Sequence, residues 1–439
     1  MRVIEKLIDN IYKLPERFRF LPNVLYYFYT QQPDKSFKVA LMQSELFPDD
    51  LIAHSILAQF YSMKGEHEKE IETYKIIINL YNNDYGSDIV SNYIINIGRK
   101  YLYALGDYEN ALKYFNEHLS GYPDDYTIYK TLGNLYERLN DITKAKEMYS
   151  KALLHDTDDI VSMLELVKIQ KDIVINRIDE FKKILAKCNN LDDSLTVYKT
   201  MKEVNDNHGR ISESLELANI ALNKMINKYP LEEYGSIYLS IARSHTIINE
   251  YDKGIEVLNI SNKAYAEMSN AQDDIRKSLW KIDFFTNAEK WELIKNEIEK
   301  AKIALNVLGV KYSNQSKHEA YVAEHVDKDF NKAIELYKQF LKENPAHHYA
   351  DMHINIARCY RMLGDYKKAK KKIDSIYKTS LKLLFDADYE YSLLYRDMGN
   401  NSKALEKIDL YLEHYKHAHP DHIKVNRAKA LKEELLKSS

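Results

Sequence analysis

The chain has 439 residues, with 63 basic and 66 acidic side chains and a formal charge of -3, a balance that excludes strong global attraction to nucleic acid or an anionic membrane. Twelve Gly and eight Pro are too few for a turn-dense all-β protein or for phosphate-cradling loops, and the Glu, Lys, Leu and Ala content favours helix. Cys188 and Cys359 stand 171 residues apart without CxxC or Cys/His metal spacing, which excludes a disulfide framework and a zinc finger and fits a reducing compartment.

The N-terminus, MRVIEKLIDNIYKLPERF, breaks its apolar residues with charges every few positions, unlike a signal peptide. No apolar run approaches membrane-spanning length, so a soluble, cytoplasmic protein is expected. A degenerate helix pair ends at Phe47-Pro48-Asp49-Asp50. The next carries Leu57-Ala58, Tyr61, Gly65 and Tyr74, and the insertion YGSDIVS separates it from a pair with Ile97-Gly98, Tyr101, Gly106-Asp107-Tyr108, Ala111, Phe115 and Pro123. One extra residue lies between Gly98 and Gly106.

The following segment has Leu132-Gly133, Tyr136, Ala145, Tyr149 and Ala152-Leu153. Ala145 answers Ala111, and Tyr149 answers Phe115, each at an offset of 34 residues. A small residue on each helix lets two backbones approach, and a large aromatic fills the gap beside it. Each pair is too small to bury both of its apolar faces, so the next must stack on it. The stretches 160–193, 195–232 and 270–312 have the length and apolar rhythm of such pairs without most of these residues. LANIALNKMINKYP and IEKAKIALNVLG each run about a turn too far, which predicts longer helices there. Trp280 and Trp291 fall in the least regular segment and read as core filling.

The pattern returns in Ile241-Ala242, Tyr251, Gly254 and Leu258. It is clear again in Phe330, Ala333, Tyr337, Phe340 and Pro345; in Ala357, Tyr360, Gly364-Asp365-Tyr366 and Ala369; and in Ser392, Tyr395, Gly399, Ala404 and Ile408. From His419, HPDHIKVNRAKALKEELLKSS reads as a polar-faced helix covering the last apolar surface.

This arrangement resembles the tetratricopeptide repeat, a helix-turn-helix unit of the same length. The resemblance implies an all-α fold: a right-handed superhelix, or α-solenoid, of about eleven helix pairs with a C-terminal capping helix. The chain divides on this reading into an N-terminal array over 1–159, degenerate longer-helix repeats over 160–312, a C-terminal array over 313–418 and a cap over 419–439.

No GxSxG, GxxxxGK[ST] or HExxH is present, and no catalytic residue, metal site or cofactor is expected. The pairs Asp49-Asp50, Asp124-Asp125 and Asp158-Asp159 recur at junctions between repeats, where they suit helix N-termini rather than acid/base work. His414, His417, His419 and His422 lack a Cys or fixed carboxylate to complete a ligand set, and read as surface histidines. The run YKKAKKKIDSIYK reads as a solvated outer face.

In tetratricopeptide proteins the first helix of each pair lines a concave groove. The resemblance therefore implies a peptide-binding groove displaying Asn96 and Arg99, then Lys130, Asn134 and Arg138, then Arg243, then Asn355, Arg358 and Arg361, with Arg396 near the end. Amides that grip a peptide backbone and guanidinium forks that match carboxylates point to an extended protein segment, acidic or C-terminal, as partner. The clamp that such cochaperones close on acidic chaperone tails is incomplete. Lys130 and Asn134 match its first element, but Glu165 stands where Asn is required; near the other end only Asn355 fits, beside His318, Asp386 and Glu390.

The expected function is a non-catalytic scaffold or adaptor with no membrane or nucleic-acid partner. The alternatives are a peptide-sensing regulator of the same build, or the accessory part of an enzyme whose catalytic domain lies outside this chain.

Overall fold

The structure is a computed structural model that describes residues 2–81, 88–169, 174–226, 228–266, 271–345, 349–379 and 384–437. Among these every regular element is helical. A short α1 (Arg2–Asp9) precedes the first pair, α2 (Phe20–Tyr29) with α3 (Pro33–Leu46). Then come α4 (Leu51–Lys64) with α5 (His67–Leu80), α6 (Asp88–Lys100) with α7 (Tyr108–Gly121), and α8 (Tyr126–Arg138) with α9 (Ile142–His155). The degenerate segments form α10 (Ile160–Lys168) with α11 (Val174–Leu185), and α12 (Leu191–Asn207) with α13 (Ile211–Met225). They are followed by α14 (Leu231–Ile247) with α15 (Tyr251–Ala266), and α16 (Ala271–Asn287) with α17 (Trp291–Val307). The clear pattern resumes in α18 (Gln315–His325) with α19 (Phe330–Glu343), α20 (Ala350–Met362) with α21 (Tyr366–Thr379), and α22 (Leu384–Asp397) with α23 (Asn401–His414), before the cap α24 (Ile423–Lys437). The fold is therefore an all-α array of eleven helix pairs and a cap. Of the insertion YGSDIVS, residues 85–87 lie outside the described residues, and the rest opens α6.

The small residues explain the pairing. A Cβ built on Gly133 would stand 2.5 Å from the Tyr149 ring, and one on Gly98 2.7 Å from the Phe115 ring, so at both places only hydrogen leaves room for the aromatic of the second helix. Each core is shared with the next pair. Ala333, Tyr337 and Phe340 of α19 pack with Ala320 and Ala323 before them and with Met352, Ile356 and Cys359 after them. The cap works in the same way, laying Ala428, Leu431 and Leu435 against Ala404, Ile408 and Tyr411.

The acidic pairs cap helices. The Asp50 carboxylate accepts the Ile52 and Ala53 amides at 3.0 and 3.2 Å, and that of Asp159 accepts the Ser162 amide at 3.0 Å, each cap contributing about 1 kcal/mol. Of the two segments expected to be long, α17 has 17 residues while α13 ends at Met225 after 15, against 14 in α4, α5 and α7; α12, α14 and α16 also have 17. Trp291 stacks on His325 at a centroid distance of 3.8 Å, which is core filling.

The chain gathers into two compact units. The first holds Met1–Ile128 together with Glu299–Ser313 and Asn344–His347. Within it the chain after α17 returns to the early pairs: the Lys311 amide donates to the Met63 carbonyl at 3.1 Å, and Gly309 approaches the Pro33 ring. The second holds Tyr129–Ile298, Asn314–Glu343 and His348–Ser439. There the segment after α23 returns to the α12–α13 turn, where the His419 amide donates to the Gly209 carbonyl at 2.8 Å. Gly209 has φ +70°, and a Cβ on it would meet Ala418 at 2.8 Å, so this contact requires glycine on both counts.

That segment corrects the reading of its histidines as surface groups. His422 is buried, and His414 stacks on Phe385, packs beside His208 and pairs through Nε2 with the Asn207 carbonyl at 3.0 Å. Burial pushes both imidazoles down to about 4, against the bond to Asn207 at His414 and together with Lys424 at His422.

Candidate binding face

The residues expected in the groove divide between the two units: Asn96 and Arg99 lie in the first, the other eight in the second. In the second unit Lys130, Arg243, Arg358, Arg361 and Arg396 are held by acids of the same array. Lys130 Nζ lies 2.8 Å from Asp159, whose other oxygen caps α10. Arg243 meets Asp283 at 3.2 Å. Arg358 Nε lies 2.6 Å from Glu324, which is itself buried and accepts the Tyr337 hydroxyl. Asn355 accepts from Arg358, and Asn134 accepts from Arg138 Nε at 3.0 Å.

Arg361 is the most enclosed of them. It is 9 % exposed and joins Glu390 at 2.6 Å and Asp397 at 2.8 Å, while Arg396 holds the other oxygen of Asp397 at 2.8 Å. Burial weakens the Arg361 charge, but the two carboxylates more than offset it and its pKa is raised. Arg358 behaves in the same way beside Glu324. These groups lock one first helix to the next: Glu324 on α18 to α20, Arg361 on α20 to α22.

The first unit is arranged differently. On α6 the positions Ile89, Asn92, Asn96, Arg99 and Tyr103 follow spacings of three and four and form one stripe. Asn96 is half-buried and the other four are exposed. The Asn92, Asn96 and Arg99 side chains have no partner among the described residues. The neighbouring Lys100, by contrast, turns away to Glu70 of α5 at 3.0 Å and Ser62 of α4 at 3.0 Å. Glu70 is buried and its pKa is lowered; desolvation opposes the shift, but bonds from His67, Lys100 and Tyr74 prevail. Arg99 keeps all five donors of its planar fork, next to two amides that can each donate and accept. This stripe can hold an extended chain by its backbone and one of its carboxylates.

Asn92 and Tyr103 are absent from the sequence-derived list. Asn92 was reachable by stepping back one turn from Asn96. Tyr103 was equally reachable four residues after Arg99, and lies in the π-helical turn, Tyr101–Leu105, that takes up the extra residue at the end of α6.

Stacked helix pairs with shared cores define a helical-repeat protein. The model of the family described as tetratricopeptide repeat matches residues 102–166 and 327–376, the segments from the end of α6 to α10 and from α19 to α21. No curated protein matches the chain. Among solved structures, the Cut9-Hcn1 hetero-tetramer of the APC/C is similar at 12% identity over 99% of this chain and 86% of that chain, with a TM-score of 0.48. Yeast Tom70 is similar at 13% identity over 96% of each chain, with a TM-score of 0.40. A tetratricopeptide repeat protein from Parabacteroides merdae shares 11% identity over 79% of this chain and 98% of that chain, with a TM-score of 0.28. With TM-scores below 0.5, nothing about this chain's partners follows from these likenesses. No described helix is long and apolar enough to cross a membrane. No group of three or more His, Cys, Asp or Glu side chains gathers as metal ligands among the described residues.

Proposed function

We propose that the protein is a non-catalytic binding scaffold that holds an extended protein segment on the first-helix face of its repeats, with α6 as the principal contact. The observation that carries this reading is the unpartnered stripe of Asn92, Asn96 and Arg99, set against first helices whose cations are already neutralised. An isolated exposed arginine between two amides contributes nothing to folding that the structure shows, and suits a peptide carboxylate and backbone. Lys130, Arg243, Arg358 and Arg361 enter this reading as groups that pair with acids of a neighbouring helix, Arg396 as a second cation on Asp397, and Asn134 with Arg138 and Asn355 with Arg358 as pairs within one helix.

The test is an array of random peptides with free C-terminal carboxylates, probed with the wild-type chain and with Asn96→Ala/Arg99→Ala. Peptides captured by the wild type should lose at least about tenfold in affinity with the double variant, the loss expected of a charge-assisted contact. Equal capture by both proteins would sink the assignment to α6.

A further inference from the structure

The end of the chain does more than cover the last core. From α12 to α24 each helix pair shares apolar packing with the next, through Trp291 against Tyr321 where α17 meets α18. The segment after α23 then comes back on this series at two of its turns. Gly209, at the α12–α13 turn, enters a socket of Tyr415, Ala418 and His422, while His414 and His419 bond to the Asn207 and Gly209 carbonyls. Arg427 of α24 forks onto Glu289 at the α16–α17 turn, at 2.7 and 2.8 Å. The contacts from α12 to α24 therefore form a closed circuit.

The links of this circuit are unequal. Adjacent pairs are joined by buried apolar side chains, but the return rests on main-chain bonds, a glycine in its socket and an ion pair whose members are 52% and 39% exposed. It is the link that parts first. Its placement is nonetheless specific. Glu289 holds φ +53°, in the left-handed region that Gly65, Asn140, Asn249, Gly364 and Gly399 occupy at the ends of their first helices with residues better suited to it. Its carboxylate meets a guanidinium 138 residues away.

The return also gathers imidazoles. His208 lies 4.6 Å from His414, ring to ring, and His419 adjoins the buried His422. Around His414 stand His208 from the end of α12 and Asp386 from α22; around His422 stand His419 and Lys424 from its own segment and the same Asp386. Arg210 and Glu213 of α13, beside His419, pair with each other at 2.7 Å, and Asp421 lies 4.0 Å from His419.

We infer that residues 414–427 are a latch, which holds the helix pairs from α12 to α23 in a closed circuit and releases them in acid. Closed, the latch shields His414 and His422 from water, and a proton on either would sit beside His208 or Lys424, with Asp386 set against it. Freed from about 4 in the closed form to the ordinary value near 6.5, each histidine shifts the closed-to-open ratio about thirtyfold toward open at pH 5. Release leaves the shared cores intact and lets α22–α24 move away from the two turns. The latch is independent of the reading of α6.

Spin labels at Glu216→Cys on α13 and Glu433→Cys on α24, both exposed positions, read the distance across the latch by double electron–electron resonance in the full chain carrying Cys188→Ser. At pH 7 the closed latch should give one narrow distance. Gly209→Asn/Arg427→Ala should replace it with longer, broader distances while far-UV circular dichroism is unchanged. Asparagine keeps the left-handed turn, as Asn140 and Asn249 do, but its side chain fills the socket. Should that variant lose helix, Ala418→Gln/Arg427→Ala, which fills the socket from the other side, decides by the same reading. The chain with Gly209 and Arg427 intact should open at pH 5 with its helix content kept. A closed distance in the folded variants at pH 7 overturns the latch. A closed distance at pH 5, or loss of helix there, overturns its release by acid.

Discussion

Arg99 and Arg358 occupy the same place in their repeats, one residue after the small residue of a first helix, Gly98 in one case and Ala357 in the other. Arg358 lies against the buried carboxylate of Glu324, whereas Arg99 stands exposed without a partner among the described residues. The difference comes from the preceding first helix. α18, QSKHEAYVAEH, offers Glu324, while α4, LIAHSILAQFYSMK, contains no acidic residue, and of the α5 acids Glu70 is taken by Lys100 and Glu72 by Lys75. An equivalent residue is thus structural in one array and available for binding in the other. The repeat position does not decide its role; its neighbour does.

The sharpest break of this comparison is Arg361→Ala. It strands the buried Glu390 and leaves Asp397 with Arg396 alone, and should cost about 3–5 kcal/mol, read as a lower midpoint in urea unfolding. Acid should produce the next largest effect, and in the second unit. The ordinary histidine value is near 6.5, and burial holds His325, His414 and His422 down to about 4 in the fold. The unfolded chain therefore takes up protons first, so their contribution is complete above about pH 6.5 and is lost progressively as the pH falls toward 4. His414 also faces His208 and Asp386, and His422 faces Lys424, His419 and Asp386, so Lys424 adds to the downward shift of His422 and Asp386 opposes both. Hydrogen exchange at pH 5 against pH 7, each corrected for the intrinsic rate at that pH, should show it as lower protection in α22–α24.

Gly98→Ala and Gly133→Ala address what the two units share. Alanine is the better helix former, yet the new methyl meets Phe115 or Tyr149 below contact distance, and each change should cost about 1–3 kcal/mol in thermal unfolding. Arg243→Ala breaks a half-exposed pair and should cost about 0.2–1 kcal/mol. The smallest effect on stability belongs to Arg99→Ala, within about 0.5 kcal/mol, although its effect on binding should exceed that of Arg243→Ala. If Arg99→Ala instead destabilises as Arg358→Ala does, the two faces are alike and the contrast fails.

Repeat length, the small and aromatic packing positions and the capping acids were all legible in the residues, because each depends on neighbours within one or two turns or within the adjacent pair. The groove list was legible only as a list. Spacing identifies which side chains share a helix face, but Lys130 with Asp159 and Arg361 with Asp397 are separated by 29 and 36 residues, and their meeting depends on how successive pairs stack. The histidines after α23 show the same limit more strongly. Their sequence is polar, and they become buried because the chain returns to a turn 207 residues earlier.

By itself, then, the sequence determined the helix pairs and their order, since hydrophobic periodicity and close approach at Gly98 and Gly133 act locally. It even recorded the surplus residue before Gly106. The tertiary structure decided that this residue is taken up as a π turn between two fixed registers, with Tyr103 outside, and which arginines are neutralised. The reason is that charge pairing and burial are settled by the side chains a neighbouring helix brings within a few ångströms, and one helix's own spacing carries no information about them.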